Sequence, residues 1–291
     1  MSRQLYGVVP PMTTPFDQRE EIDTVALRAE VNYLIEEAGV HGIAVGGSTG
    51  EGHTLTTDEI RHVVGTAVSE AAGRVPIVAG IIVDSTRQAV ERAQAIADLD
   101  VAALQVTPVH YLFKPTDDAM HRHFATLAEK AVAPIIIYNV VPWCYCAPEL
   151  LVRLITEVEG VIGVKQSAGD LKTLADLLLM LDDKGLVMAA TDALLYPAYA
   201  LGAHGSIAAI LQAAPKLSVT LWDAVQAGDQ TKALALHKKL LRIWNAIEAN
   251  NLPANVKTAM RLQKRPSGIP RAPMPESSPA QEAAIQAALT S

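Results

Sequence analysis

Eight short runs of apolar, β-favouring residues recur along the chain, each followed by a segment whose apolar positions return at helical spacing. The runs are Leu5 to Val9, Gly42 to Gly46, Pro76 to Ile82, Ala103 to Thr107, Pro134 to Asn139, Val161 to Gln166, Leu186 to Ala190 and Gly205 to Ile210. Three consecutive isoleucines, Ile135, Ile136 and Ile137, leave the fifth run no wet face, which suits a strand of a parallel sheet covered on both sides. Strand and helix alternating eight times predict an α/β fold, a closed (β/α)8 TIM barrel, although an open doubly wound sheet gives the same local signals. A barrel of this kind occupies about 250 residues as a single domain, so the length of this chain does not force a split.

The helices between the runs are delimited by their caps. The segment from Asp23 to Gly39 starts on an N-capping carboxylate and ends on a glycine, and Thr56, Thr57 and Asp58 can start the next helix. Beyond the eighth run, Pro215 to Ala227, Gln230 to Ala249 and Ala254 to Gln263 read as helices, more than one barrel helix requires. The segment from Arg265 to Pro275 is too rich in proline for helix or central strand and predicts a surface connector before a last, Ala-rich helix. The predicted organisation is a catalytic barrel over residues 1–214 and a C-terminal helical extension over residues 215–291.

Composition excludes several function classes. Half of the residues are hydrophobic, 19% are charged and the net charge is -7, which gives no electrostatic reason to expect nucleic acid as a partner. No run of about 18 apolar residues is present and the N-terminal segment has no basic stretch leading into a long apolar run, so a membrane partner is not expected. Cys144 and Cys146 are too close in sequence for ordinary disulfide geometry, which predicts a reducing, cytoplasmic compartment. His121 and His123 lack the i, i+4 spacing of a helical zinc site, and the Cys144, Cys146 pair has no second pair to complete a metal centre. The glycine-rich segment 46–51 has neither nucleotide-binding spacing nor a phosphate-loop lysine, so neither metal nor organic cofactor is expected.

In such barrels reactive side chains come from the C-terminal ends of the strands. Lys165 lies near the end of an otherwise apolar run, and burial without a partner favours the neutral amine that attacks a carbonyl carbon. A lysine reaching solvent, or one paired with a carboxylate, would fit the same position. Tyr138 ends the fifth run and could relay protons, or could be an amphipathic core tyrosine. Ser48 and Thr49 follow the second run, either as hydroxyl neighbours of that phenol or as a plain strand-to-helix turn.

Taken together, these positions resemble the dihydrodipicolinate synthase and N-acetylneuraminate lyase superfamily of Schiff-base pyruvate aldolases, from about Gly7 to about Pro275. The marks are GVVPPMTTPF in the first strand, GSTGE after the second, YNV at the fifth, GVKQSAGD around Lys165 and LGAHGSI at the eighth. The resemblance implies that Lys165 forms an imine with a 2-oxo acid and that Tyr138 shuttles protons. It also implies that Ser48 and Thr49 hold the substrate carboxylate, that Ile207 lines the pyruvyl pocket and that four copies assemble as a dimer of dimers.

Three departures bear on the substrate. The family's synthases carry an arginine shortly after the tyrosine motif that binds the second substrate's carboxylate, whereas YNVVPWCYCAP places Trp143, Cys144 and Tyr145 there. At the family's interfacial tyrosine the sequence reads TPVHYLFKP, which makes His110 or Tyr111 the candidate. Thr191 stands where the synthases usually have glycine and offers a hydroxyl to a sugar acid. The expected activity is retro-aldol cleavage of a 2-oxo-3-deoxy sugar acid to pyruvate and an aldehyde. The alternatives are dehydration of such an acid, dihydrodipicolinate synthesis, and a 2-oxo acid sensor without turnover.

Overall fold

The computed structural model describes residues 5–168 and 170–291; residues 1–4 and Gly169, the latter within the motif around Lys165, lie outside the described residues. The strands are β1 (Gly7–Val8), β2 (Ile43–Val45), β3 (Ile77–Ile81), β4 (Ala103–Val106), β5 (Ile135–Asn139), β6 (Val161–Gln166), β7 (Leu186–Ala189) and β8 (Gly205–Ser206). They pair in parallel in the order β1-β8-β7-β6-β5-β4-β3-β2. The remaining edges meet through Ala44, whose N–H donates to the Pro10 carbonyl at 2.9 Å and whose carbonyl accepts the Met12 N–H at 2.8 Å. The sheet is therefore curled into a barrel, and the open-sheet alternative falls.

The first helices are α1 (Thr24–Asn32), α2 (Thr57–Ala71), α3 (Thr86–Ala95) and α4 (Asp117–Lys130). They are followed by α5 (Pro148–Glu157), α6 (Leu171–Leu181), α7 (Leu195–Ala200) and α8 (Ala209–Ala213). Caps behave as the sequence predicts: the Asp23 carboxylate accepts the Ala26 N–H, and Thr56 with Glu59 forms a capping box. The helix predicted to reach Gly39 changes character at Tyr33, where a π-helical turn runs to Glu37. The eighth strand is shorter than expected. It ends at Ser206, and Ile210 lies in α8, because the Asp192 carboxylate accepts the Ile210 N–H at 2.7 Å and starts a helix there.

Four further helices follow, α9 (Pro215–Gln226), α10 (Gln230–Ile247), α11 (Leu252–Leu262) and α12 (Pro279–Leu289). Helix α9 packs on β1 and α7 and also meets α10, while α12 rests on α10 and α11. Among the described residues no helix is long and apolar enough to cross a membrane.

Two apolar layers hold the fold. Inside the barrel, Leu5, Val9, Ala44, Val78, Ala103, Ile136, Met188 and Ile207 form one apolar cluster, with Ile207 also reaching the cavity at its mouth. Outside it, the opposite faces of the same strands pack on the helices, through Ile135, Ile137, Leu151 and Leu154 among others. Each buried Leu or Ile contributes roughly 1.5–3 kcal/mol. Gly163 marks the tightest point of β6, since a Cβ there would run into the Leu186 carbonyl oxygen of β7. Gly163→Ala should therefore destabilise the barrel by roughly 1–3 kcal/mol, read as a lowered thermal midpoint by circular dichroism; an unchanged midpoint would mean that the two strands can separate freely here.

Candidate active site

Strand pairing puts Tyr138 of β5 directly beside Lys165 of β6, and Lys165 beside Met188 of β7. Side chains alternate across a strand, so Ile136 and Tyr138 face the barrel interior while Ile135, Ile137 and Asn139 face the helices. Tyr138 and Lys165 consequently meet at the top of the apolar plug. The Lys165 Nζ lies 3.7 Å from the centroid of the Tyr138 ring, and the Tyr138 hydroxyl donates to Ser48 Oγ at 3.0 Å.

Among the described residues Lys165 is one of three buried Lys and Arg side chains, and it differs from the other two. Lys257 is paired with Glu51 at 2.6 Å, and Arg265 with Glu30, which also accepts from Gln212 at 2.8 Å. Among the described residues Lys165 has no carboxylate in direct contact. Its Nζ faces a cavity of about 270 Å³ at the mouth of the barrel. The walls come from Ser48 and Thr49 after β2, Tyr138 and Val140 at β5, Lys165 and Ser167 at β6, Ala190 and Asp192 after β7, and Ile207, Ala208 and Ala209 after β8. Leu252 and Pro253, at the start of α11, complete the rim, so the C-terminal extension contributes to the site.

The loop carrying Ser48 and Thr49 is held from several sides. The Glu51 N–H donates to the Ser48 carbonyl at 3.0 Å, and the Thr14 hydroxyl donates to the Gly50 carbonyl at 2.7 Å. Gly52 and Gly80 each press so closely on the Gly46 backbone that a Cβ at either would collide with its carbonyl oxygen. The loop after β5 is anchored through Asn139, whose Nδ2 donates to the Cys146 carbonyl at 3.0 Å and whose Oδ1 accepts the Cys146 N–H at 2.9 Å. Burial pushes the Cys146 thiol up to about 12 and raises that of Cys144 as well, so both stay protonated.

Of the residues singled out from the sequence, Lys165, Tyr138, Ser48, Thr49 and Ile207 share this one cavity. Thr191, His110 and Tyr111 do not line it. The Thr191 hydroxyl turns to the Ala168 carbonyl, at 3.4 Å. His110 Nδ1 lies 2.7 Å from the Pro108 carbonyl, and Tyr111 is 78% exposed on the loop after β4. Asp192, half-buried in the wall, was not singled out; an aspartate after a strand reads as a helix cap, and it caps α8 as well as facing the site. Gln105 and Thr107, buried on and just after β4, have side-chain polar atoms without a protein partner among the described residues.

A lysine amine over a phenol, a hydroxyl-bearing loop and a wall that is apolar except for Ser167 and Asp192 can hold a 2-oxo acid by its carboxylate and attack its carbonyl. Comparison with known proteins identifies the family. The model of the Dihydrodipicolinate synthetase family matches residues 4–291. The chain belongs to that family. It is a lyase of the class I aldolase type. A 4-hydroxy-tetrahydrodipicolinate synthase of Methanopyrus kandleri is 36% identical over 279 residues, covering 95% of this chain and 92% of the relative. The crystal structure of a putative dihydrodipicolinate synthetase from Pseudomonas aeruginosa superposes with a TM-score of 0.93 at 30% identity, covering 99% of each chain. YagE from E. coli K12, a prophage protein of the dihydrodipicolinic acid synthase family solved in complex with pyruvate, gives 0.93 at 25% identity over 98% of each chain.

Burial pushes the Asp192 carboxyl up to about 6, against the pull of the Ile210 N–H and of the nearby Lys165 ammonium. A carboxyl raised from 3.8 keeps its proton in the folded chain where the unfolded chain has lost it, so stability falls as pH rises between those values and is level above them. Asp192→Asn should match the parent in thermal midpoint near pH 4 and gain on it as pH rises through 6. A difference that does not vary with pH would show that Asp192 titrates like an exposed carboxyl.

Proposed function

We propose that this lyase forms an imine between Lys165 and a 2-oxo acid and cleaves a 2-oxo-3-deoxy sugar acid, or a related hydroxylated 2-oxo acid, to pyruvate and an aldehyde. The observation that carries the reading is the buried Lys165 ammonium without a direct carboxylate partner among the described residues, set over Tyr138 and open to the cavity. The neutral amine adds to the C2 carbonyl, whose oxygen leaves as water, and the protonated imine draws electrons from C3. Loss of the C4 hydroxyl proton then lets the C3–C4 bond break, releasing the aldehyde and leaving an enamine. Protonation at C3 and hydrolysis return pyruvate and the free amine. We assign the proton transfers to Tyr138, with Ser48 accepting its hydroxyl hydrogen bond, and the substrate carboxylate to Ser48 and Thr49.

The substrate class rests on the distal wall. The Methanopyrus kandleri relative is a synthase, but the segment that follows Tyr138 here offers Trp143, 64% exposed, with its indole N–H donating to the His110 carbonyl at 2.9 Å. The first arginine after it, Arg153, sits on α5 and pairs with Asp118 at 2.8 Å and Glu157 at 3.2 Å. Among the described residues the cavity thus has no guanidinium for a second carboxylate, while Ser167 and Asp192 suit hydroxyl groups. Pyruvate bound in YagE is in keeping with the carboxylate end of this reading.

With pyruvate and borohydride, the intact protein should gain one stable pyruvyl adduct that Lys165→Ala lacks. Tyr138→Phe should still form it but turn over about 10²–10⁴ times more slowly. Lactate-dehydrogenase coupling across a panel of 2-oxo-3-deoxy acids should report pyruvate release. Conversion of the acid without pyruvate would make the chain a dehydratase, and an adduct with no turnover on any substrate would make it a sensor. We further infer a homotetramer in which His110 or Tyr111 reaches a neighbour's cavity, supported by the exposure of Tyr111, Leu112 (83%) and Phe113 (62%) on one loop. Light scattering should give four times the chain mass of 31.0 kDa, and a monomer mass would remove that role.

A further inference from the structure

The Glu51–Lys257 pair has no part in the chemistry above, yet it joins the substrate loop to the C-terminal extension. Glu51 is fully buried and adopts a left-handed backbone (φ 54°), a costly conformation for a residue other than glycine. Its two carboxylate oxygens have separate partners: Oε1 takes the Lys257 ammonium at 2.6 Å, and Oε2 accepts the Arg271 N–H at 2.9 Å. Lys257 is 2% exposed, also donates to the Ile269 carbonyl at 2.7 Å and stands 4.7 Å over the Phe16 ring. The Arg271 guanidinium covers the same ring, at 4.2 Å, and binds the Thr54 carbonyl at 3.1 Å and Glu59 at 2.6 Å.

Three residues before Glu51 is Ser48, and five before Lys257 is Leu252, both in the cavity wall. The ion pair therefore ties one wall of the site to the other through α11. We propose that Glu51 and Lys257 are positioning residues: they fix the backbone of the loop so that its hydroxyls and N–H groups meet the pyruvyl carboxylate. The extension is then a working part of substrate binding. This rests on the assignment of Ser48 and Thr49 to that carboxylate.

The test is the pyruvate concentration that half-saturates borohydride trapping, measured apart from the trapping rate at saturation. Thr49→Val examines the underlying assignment, and if it leaves half-saturation unchanged the assignment fails rather than the inference built on it. Glu51→Gln/Lys257→Met removes both charges at once and leaves no buried charge unpaired. It should raise half-saturation about tenfold, with a saturating rate close to the parent's. Lys257→Arg, which keeps the charge, should recover most of the loss. Glu30→Gln/Arg265→Met deletes a comparably buried pair that does not touch the loop, and should lower the thermal midpoint without moving half-saturation. If Thr49→Val weakens trapping but the Glu51/Lys257 double variant does not, the proposal is overturned. It is also overturned if the two double variants shift half-saturation alike, or if only the saturating rate falls. Should the double variant not fold, the single change Glu51→Gln, which keeps an acceptor for Arg271, is read by the same criteria.

Discussion

Two hydrogen bonds made by Ala44, to Pro10 and Met12, turn an eight-stranded sheet into a closed wall. Without them β1 and β2 would be free edges, and residues that converge from β2, β5, β6, β7 and β8 would lie along a ribbon. Closure also decides what the interior can contain. Eight parallel strands leave room for little more than their own side chains, so the lower barrel fills with aliphatic groups and the site is confined to the mouth.

That confinement gives Lys165 its character. An ammonium held in a low-dielectric interior is costly unless paired, and the fold pairs its other buried cations, Lys257 with Glu51 and Arg265 with Glu30. In the Glu30 pair burial raises the carboxyl despite the guanidinium beside it. Lys165 is left with the face of a phenol and the edge of a cavity. The absence of a direct carboxylate contact sets Lys165 apart from the two paired cations and underlies the role proposed for it.

Hydrophobic pattern made the strands and most helices readable, because a doubly covered strand needs apolar residues at nearly every position. It misled at the end of β8, where Ile207, Ala208, Ala209 and Ile210 look like more strand but Ala209 and Ile210 already belong to α8. The decisive difference is a side chain 18 positions away, the Asp192 carboxylate on the Ile210 N–H. Closure was illegible for a similar reason: the bonds that make it are backbone bonds and leave no side-chain signature. The core of the site was legible because each member ends a strand or follows one. Thr191 shows the limit of that rule, since being next to the site in sequence placed its hydroxyl on Ala168 while Asp192 took the wall. Glu51 and Lys257 are 206 positions apart, and no local spacing announces such a pair.

The crowding of glycines around Gly46 has a consequence for altering this enzyme. A backbone in which Gly52 and Gly80 already abut a carbonyl oxygen cannot take a side chain at either position without moving. New substrate scope is better sought on the rest of the rim, where Val140, Ala190, Ala208 and Leu252 are set on separate elements. Engineering would treat the glycine-bound side as a fixed anvil and the other as the interchangeable tool.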